Sequence, residues 1–335
     1  MIVARAPGKL VALGEYAVLD GGPAVVLAVD RFVEVTVTPS TDGACHLITR
    51  AAATAERVFT PGQPSGAPLV DLVGRSEWPP LAWNATIDSR AFFAGSEKLG
   101  LGSSAAVLCA WAGAVAGFAR SQGRDAPGPG LLGLVEVHRA FQGGKGSGLD
   151  VAASYSGGAI TFRLDAAGVP QVGSVRLPNG VGFAGIFAGQ SASTPELVAH
   201  YRAWRQERPV EAAALLRRLM GIAEAGCAAA RGDDAAAWIE AFGAYGRGLA
   251  DLGEAIGVEV VTAEHRQIGD EAGRFGVAYK VSGAGGGDLG LACGAEPQAL
   301  AAFTKRITDR GFRVINVTLA GHGLVVQQRA AEQRP

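Results

Sequence analysis

A glycine- and serine-rich segment that runs directly into an apolar, helix-like stretch constrains this chain more than any other feature. The segment is KLGLGSSAAV at residues 98–107, and small apolar residues continue to Ala119. Glycines allow several backbone N–H groups to converge, and the start of a helix adds unpaired donors and a partial positive charge. The segment therefore predicts a phosphate-binding loop in which Ser103 and Ser104 offer hydroxyls to phosphate or metal. A tight turn before a core helix explains the segment alone equally well.

Two common nucleotide-binding motifs do not fit this segment. A Walker A loop needs GxxxxGK[ST], and a dinucleotide fingerprint needs a third glycine at position 105, where alanine follows Gly100 and Gly102. No acidic partner for a ribose is evident in the sequence. A Rossmann-type oxidoreductase is therefore disfavoured.

Three further glycine-rich segments carry polar residues that suit a phosphate site. They are APGKL at 6–10 with GEYAVL at 14–19, QGGKGSGLDVAAS at 142–154, and KVSGAGGGDLG at 280–290. Glycines at four of the five positions 283–287 cost backbone entropy without adding packing area, which favours close approach of a ligand over a purely structural loop. Taken alone, Lys9 is interpreted as a solvated surface charge and Asp150 as a helix N-cap.

Charge and cysteine content exclude several classes of protein. The 30 Lys and Arg residues almost balance the 31 Asp and Glu residues, so no overall field favours a nucleic acid or an anionic membrane. A phosphorylated ligand must then be bound by a local site. The four cysteines are far apart, which favours reduced thiols over zinc ligands or disulfides. Because the amino terminus shows no apolar export segment, we expect a cytoplasmic protein. We also expect a monomer or a homodimer whose partner is a small-molecule substrate.

Residue periodicity predicts an α+β chain. Strands are expected early, at 2–6, 24–27, 32–39 and 46–49, and again late, at 278–282, 287–293 and 313–327. Helices are expected from 194, with Thr194 as N-cap, and at about 209–230, 234–256 and 262–275. The apolar run 105–119 is shorter than a bilayer-spanning helix and predicts a buried one. The length favours two domains, here divided into 1–172 and 173–330.

Taken together, the four segments have the order and approximate spacing of the GHMP kinases, the superfamily of galactokinase, homoserine kinase, mevalonate kinase and phosphomevalonate kinase. KLGLGSSAAV resembles the phosphate-binding motif of the family, APGKL with GEYAVL resembles its first motif, and SGAGGGD resembles its third. The resemblance covers the chain from Arg5 to about Leu291. It implies a two-domain α+β fold, with a ribosomal protein S5 domain 2-like ATP-binding domain at 1–172 and a ferredoxin-like-type domain at 173–330.

Within the superfamily, several segments resemble phosphomevalonate kinases most. They are GEYAVL with Tyr16, IDSRAF at 87–92, GSGLDVAAS at 146–154, GQSASTPELV at 189–198, and GGGD. Mevalonate kinases typically carry histidine at the position of Tyr16 and a PSGxDN segment in place of GSGLDVA. The resemblance implies phosphorylation of phosphomevalonate by ATP with Mg²⁺ in isoprenoid biosynthesis. A mevalonate kinase or another small-alcohol kinase is the alternative, and a non-catalytic metabolite sensor is a further one, which the presence of both Lys9 and Asp150 disfavours.

The resemblance also implies roles for individual residues. Lys9 and Asp150 would be catalytic. The ATP phosphates would contact Lys98, Gly100, Leu101, Gly102, Ser103, Ser104 and Ala105, and the substrate would contact Lys9, Tyr16, Ser147, Gly148, Asp150, Ser191, Ser193, Gly285, Gly286 and Asp288. Magnesium would bind Ser104 and Glu136, since Arg139 stands where mevalonate kinases carry a metal-binding glutamate and Glu136 lies one turn earlier. A phosphorylated acceptor needs more cationic partners than mevalonate, and the candidates near the motifs, each expected to be solvated, are Lys98, Lys145, His138, Arg139 and Lys280.

Overall fold

The strands and helices that position the site are taken from a computed structural model, which describes residues 1–73, 81–144, 146–189 and 194–330. The strands in these ranges are β1 (Ile2–Leu13), β2 (Ala24–Pro39), β3 (Cys45–Arg50), β4 (Thr54–Phe59), β5 (Trp83–Asp88), β6 (Phe93–Ala94), β7 (Glu97–Lys98), β8 (Ala159–Leu164), β9 (Pro170–Val175), β10 (Gly182–Phe187), β11 (Ala278–Val281), β12 (Leu289–Gly294), β13 (Arg313–Asn316) and β14 (Val325–Gln328).

Most helical residues lie in the second half of the chain. The helices in the described ranges are α1 (Pro68–Val73), α2 (Ser103–Ser121), α3 (Leu131–Phe141), α4 (Leu149–Ser156), α5 (Thr194–Glu207), α6 (Pro209–Arg231), α7 (Ala235–Ile256), α8 (Ala263–Arg274) and α9 (Pro297–Asp309). Short 3-10 turns lie at Ala17–Asp20 and Arg90–Phe92. The predicted α+β class is confirmed.

The chain forms two compact units, and the first comprises Met1–Lys9, Ala28–Gly158 and the chain from Ala320 onward. In this unit β14 pairs antiparallel with the start of β1, and β2 pairs antiparallel with β5. Strand β5 runs parallel to β3, which pairs antiparallel with β4. Valines at alternate positions of β2, Val33, Val35 and Val37, are buried, as the period-two pattern of a half-buried strand requires. Helix α2 packs against α1, α4 and β14.

The second unit comprises Leu10–Leu27 and Ala159–Leu319. Its sheet has the order β11-β12-β10-β13, and each neighbouring pair is antiparallel. Helices α8 and α9 cover this sheet, with Ile268 and Phe303 fully buried against Ile186 and Ala292. Helix α7 packs against α6 and β11. Strands β8 and β9 form a hairpin that pairs with Ala24–Leu27 of β2.

Helix α2 is the buried helix predicted from the run 105–119. By length and composition its 19 residues could cross a membrane, but 78% of its apolar window is buried inside the fold. Such burial is the pattern of a core helix, and the prediction is confirmed. The glycine- and serine-rich segment is therefore fixed to an element whose far end lies in a packed core.

The other predicted elements agree with the structure except in two places. Helices α6, α7 and α8 match their predicted ranges, and the side chains of Asp234 and Thr262 cap α7 and α8. The predicted strands 24–27 and 32–39 are one continuous strand, because the exposed Asp30 and Arg31 lie within β2 and do not end it. The single strand predicted at 313–327 is wrong. The residues between β13 and β14 interrupt it, and the two strands belong to different sheets.

The predicted boundary after residue 172 divides the chain once, whereas the two units interleave along the sequence. Strands β1 and β2 are each long enough to continue from one unit into the other, at Lys9 and Leu10 in β1 and at Leu27 and Ala28 in β2. A boundary drawn from composition assumes that each domain is one continuous segment, so it cannot describe units that each combine several segments. The division into functional domains at 172 and 173 stays a prediction.

Candidate active site

Lys9 lies in the first unit, where β1 meets the glycine- and serine-rich segment. Its side chain is 10% exposed, and its Nζ lies 3.4 Å from Asp150 Oδ1. Its backbone N–H donates a hydrogen bond to the carbonyl oxygen of Leu101 at 2.8 Å. Lys9 therefore joins three of the predicted motifs, and the interpretation of this residue as a solvated surface charge is wrong.

The predicted phosphate-binding loop is an open turn at the start of α2. Gly102 is the N-cap with φ +74°, and it offers no side chain to bond the N–H groups of the first turn. A Cβ added at Gly102 would lie 2.9 Å from the Lys9 side chain, so only glycine fits this close approach. Leu101 and Ala105 are buried and hold the loop, whereas Lys98 on β7 is exposed. The first-turn N–H groups of α2 and the hydroxyls of Ser103 and Ser104 are thus the donors that this loop offers to an anion.

Ser104 is held by a histidine on α3. The Ser104 Oγ and the His138 Nε2 are 3.1 Å apart, and His138 is only 1% exposed. Burial lowers the pKa of His138, the charge of Asp150 opposes this shift, and the charge of Lys9 adds to it. The expectation that His138 is a solvated cation is therefore wrong, because the imidazole is buried and its pKa is lowered.

Glu136 does not share the face of α3 that carries His138. The two residues are separated by two positions, which is about 200° around an α-helix, and Glu136 is exposed while His138 is buried. Glu136 therefore lies on a different face of α3 from the one on which His138 contacts Ser104. No group of three or more His, Cys, Asp and Glu side chains suited to a metal occurs within the four described ranges.

Arg139 organises the loop that precedes Asp150. Its Nε donates to the Gly146 carbonyl at 3.1 Å, and its Nη2 donates to the Ser147 carbonyl at 2.9 Å. Gly148, with φ +92°, is the N-cap of α4, so Asp150 is the second residue of the helix and not the N-cap that its sequence context suggests. The arginine at the position of the mevalonate-kinase glutamate thus binds the backbone that carries Ser147, Gly148 and Asp150.

In the second unit, Tyr16 and the glycines of 283–287 lie together. The Tyr16 hydroxyl donates to the Ala284 carbonyl at 2.6 Å, and burial raises the pKa of the phenol. Tyr16 has φ +59°, a conformation that costs a non-glycine residue about 1–3 kcal/mol and often occurs at functional sites. The loop is also fixed from its other side, because the Gly286 N–H donates to the Val260 carbonyl at 2.9 Å.

Asp288 closes the same loop and leads into β12. Its carbonyl accepts a hydrogen bond from the Ala188 N–H at 3.0 Å, which ties the loop to the end of β10. A Cβ added at Gly285 would lie 2.3 Å from the Val260 carbonyl oxygen, and Gly285 has φ +83°, so this position requires glycine. Ser191 and Ser193, predicted substrate residues, and Lys145 lie outside the described residues.

A buried ion pair anchors the glycine loop of the second unit. Lys280 Nζ donates to Glu15 Oε1, and the two side chains are 0% and 2% exposed. Lys280 also donates to the carbonyls of Val11 at 3.3 Å and Val281 at 2.7 Å, and the Gly283 N–H donates to Glu15 Oε1 at 3.4 Å. Complete burial raises the pKa of Glu15, although the charge of Lys280 opposes the shift. The expectation that Lys280 is solvated is wrong.

The sequence patterns assign no role to Glu15, and they mark His138 and Lys280 only as cations near the motifs. A usable signal existed for the first and the last, since Glu15 is a lone acid among apolar residues in GEYAVL and Lys280 interrupts a strand-like run before the glycines. His138 carries no such signal, because its partner Ser104 is 34 residues away in the sequence.

Comparison with known proteins gives one sequence relative and many structural ones. No family model matches the chain. A phosphomevalonate kinase of Streptomyces sp. (strain CL190) is 33% identical over 344 residues, which covers 87% of this chain and 89% of that protein. The Lin0012 protein from Listeria innocua aligns with a TM-score of 0.85 at 23% identity, over 98% of this chain and 99% of its own.

A second solved structure, the Streptococcus pneumoniae phosphomevalonate kinase in complex with phosphomevalonate and AMPPNP, aligns with a TM-score of 0.75 at 18% identity, over 95% of this chain and 100% of its own. At these identities the solved structures establish the fold, and the Streptomyces relative establishes the class, which is that of enzymes that phosphorylate small molecules. The chain belongs to the GHMP kinase family.

The Glu15–Lys280 pair predicts a large asymmetry between two lysine substitutions. Lys280→Met leaves a buried carboxylate without its cation, and we expect a loss of about 3–5 kcal/mol in the free energy of unfolding. Lys305→Met, which removes an exposed pair with Asp309, is the control and should cost less than about 1 kcal/mol. Urea unfolding followed by circular dichroism measures both. Equal small losses would show that the buried pair does not stabilise the second unit.

The Arg139 contacts predict a local effect on the loop before Asp150. Lysine cannot donate to two carbonyls from a planar fork, and hydrogen bonds to charged groups contribute about 1.5–3 kcal/mol. Arg139→Lys should therefore speed amide hydrogen exchange at 146–149 roughly tenfold or more. Arg120→Lys is the control, because Arg120 donates to the Ala126 carbonyl elsewhere in the same unit. Unchanged exchange at 146–149 in Arg139→Lys would show that the Arg139 hydrogen bonds do not hold this loop.

Proposed function

We propose that this kinase transfers the terminal phosphoryl group of ATP to phosphomevalonate and forms diphosphomevalonate and ADP. The bond between the γ-phosphorus and the β,γ-bridging oxygen breaks, and a bond forms between that phosphorus and a phosphate oxygen of the acceptor. The observation that carries the proposal is the Lys9 ammonium, held 3.4 Å from Asp150 and packed on the N-cap glycine of α2. The 33% identical Streptomyces relative, named phosphomevalonate kinase, supports this acceptor.

Each predicted nucleotide contact has a physical basis in the first unit. Phosphoryl transfer is accelerated mainly by positioning and by neutralising the charge on the transferred group. The first turn of α2 offers N–H groups and the positive end of a 19-residue helix to the ATP phosphates. Lys98, Gly100, Leu101, Gly102, Ser103, Ser104 and Ala105 remain the proposed phosphate contacts, with the exposed Lys98 at the edge of the loop.

Magnesium fits the oxygen donors near this loop. Ser104 and Asp150 present a hydroxyl and a carboxylate, which are hard ligands of the type that Mg²⁺ prefers, and few protein ligands are needed when nucleotide phosphates supply the others. Bound with ATP, the ion neutralises phosphate charge. Glu136, the other predicted metal ligand, is exposed on the side of α3 away from His138, and its metal role stays a prediction from the sequence.

Asp150 need not act as a base when the acceptor is a phosphate. A phosphate monoester has a second pKa of about 6 and is largely ionised at neutral pH, whereas an alcohol keeps its proton and gains from a carboxylate base. In the proposed reaction Asp150 holds Lys9, and Lys9 stabilises charge between donor and acceptor. Tyr16, Ser147, Gly148, Ser191, Ser193, Gly285, Gly286 and Asp288 are proposed to bind the acceptor.

A kinase for mevalonate or another small alcohol is the second candidate. In this reaction Asp150 would act as the base that takes the proton of the alcohol. A non-catalytic sensor is disfavoured, because a sensor has no need of the Lys9–Asp150 contact. The cytoplasmic location, the monomeric or homodimeric state, and the lack of nucleic acid and membrane partners stay predictions from the sequence.

Release of ADP with different acceptors tests the proposal. With ATP and Mg²⁺, we expect turnover with phosphomevalonate and none with mevalonate, homoserine or galactose. Lys9→Ala should lower kcat by about 100-fold or more, because a group aimed at transition-state charge is lost, while Lys305→Ala should leave kcat unchanged. Turnover with an alcohol would keep the kinase and overturn the acceptor. ATP binding without turnover on any acceptor would favour the sensor.

A further inference from the structure

His138 is a buried polar residue whose observed hydrogen-bond partner is a proposed ligand of the nucleotide site. It lies in the last turn of α3, is 1% exposed, and its Nε2 lies 3.1 Å from Ser104 Oγ. Ser104 is the second residue of α2 and sits one position after Ser103, which is buried. The tautomer of the imidazole therefore determines whether the Ser104 hydroxyl donates its proton to Nε2 or accepts one from it.

The direction of that proton decides whether Ser104 can bind a cation. A serine hydroxyl has one proton and two lone pairs, and a cation needs a lone pair directed at it with the proton directed away. In the Nδ1–H tautomer, the unprotonated Nε2 accepts the Ser104 proton and leaves the oxygen lone pairs for the ion. Groups behind the direct ligands commonly fix ligand orientation in this way.

We propose that His138 is a positioning residue that orients the Ser104 hydroxyl for the magnesium ion of the bound nucleotide. The inference rests on the proposed function, in which Ser104 binds the metal–nucleotide complex. It assigns a role to a residue that the motifs do not mark, and it explains why a buried imidazole faces the start of α2.

A purely structural role for His138 makes a different prediction. The ring stacks on Phe141, with centroids 6.2 Å apart, and in a purely structural role His138 would only fill space on the buried face of α3. A space-filling histidine would tolerate any amide of similar size, whereas an orienting one requires an acceptor at the position of Nε2. Glutamine places its amide near that position, and asparagine is too short to do so.

The test compares His138→Gln with His138→Asn, using AMPPNP as the probe. Calorimetry gives the dissociation constant of AMPPNP with Mg²⁺ and with EDTA, and the ratio of the two measures the metal-dependent gain. We expect His138→Gln to keep the gain and His138→Asn to lose about ten- to hundred-fold of it, with AMPPNP binding in EDTA unchanged in both. His265→Gln is the matched control, since His265 is also 1% exposed and its Nδ1 lies 2.7 Å from the Tyr279 hydroxyl.

Ser104→Ala separates this inference from the proposed function. If Ser104→Ala loses the metal-dependent gain and adding His138→Asn causes no further loss, the two residues act together and the inference is supported. If Ser104→Ala loses the gain but His138→Asn keeps it, the inference is overturned and the metal role of Ser104 stands. If Ser104→Ala keeps the full gain, the metal role fails and the inference fails with it.

Discussion

The contact between the Lys9 ammonium and the Asp150 carboxylate is the interaction on which the candidate site of the first unit depends. Lys9 is almost buried, and a lysine so placed needs a nearby anion. Asp150 supplies it from the start of α4, while the backbone of Lys9 binds the loop that begins α2. One residue within β1 thus contacts two segments that are far from it in the sequence. In the proposed reaction, the same ammonium is already in place before the phosphates bind.

In the second unit, the loop at 283–287 consists largely of glycine and must be held by contacts with other segments. Such a loop has little side-chain packing of its own. The Glu15–Lys280 pair, the Tyr16 hydroxyl on Ala284 and the Gly286 N–H on Val260 supply the missing constraints. Burying an ion pair costs desolvation free energy that can exceed the attraction between the charges, and the strained backbone of Tyr16 adds a further cost. Both features hold the glycine loop in one conformation, as the proposed acceptor site requires.

Local sequence patterns predicted much of this structure, because caps, periodicity and glycine runs act over a few residues. The helices α6 to α8, the buried helix α2 and the loop before it were all accessible in this way. Pairings between distant residues were not. Glu15 and Lys280 are 265 residues apart, and Ser104 and His138 are 34 apart. No local pattern shows that the two side chains of each pair meet in the folded chain. For the same reason the sequence does not show which face of α3 carries Glu136, whereas the burial pattern of the helix does.

The central claim is that the phosphoryl group passes to a phosphate and not to a hydroxyl. Phosphorus NMR of the products formed from ATP and phosphomevalonate tests this most directly, because it identifies the atom to which the phosphoryl group is joined. We expect the coupled doublets of a diphosphate ester to appear together with those of ADP. A second monoester singlet would show transfer to the hydroxyl of the acceptor and would contradict transfer to its phosphate.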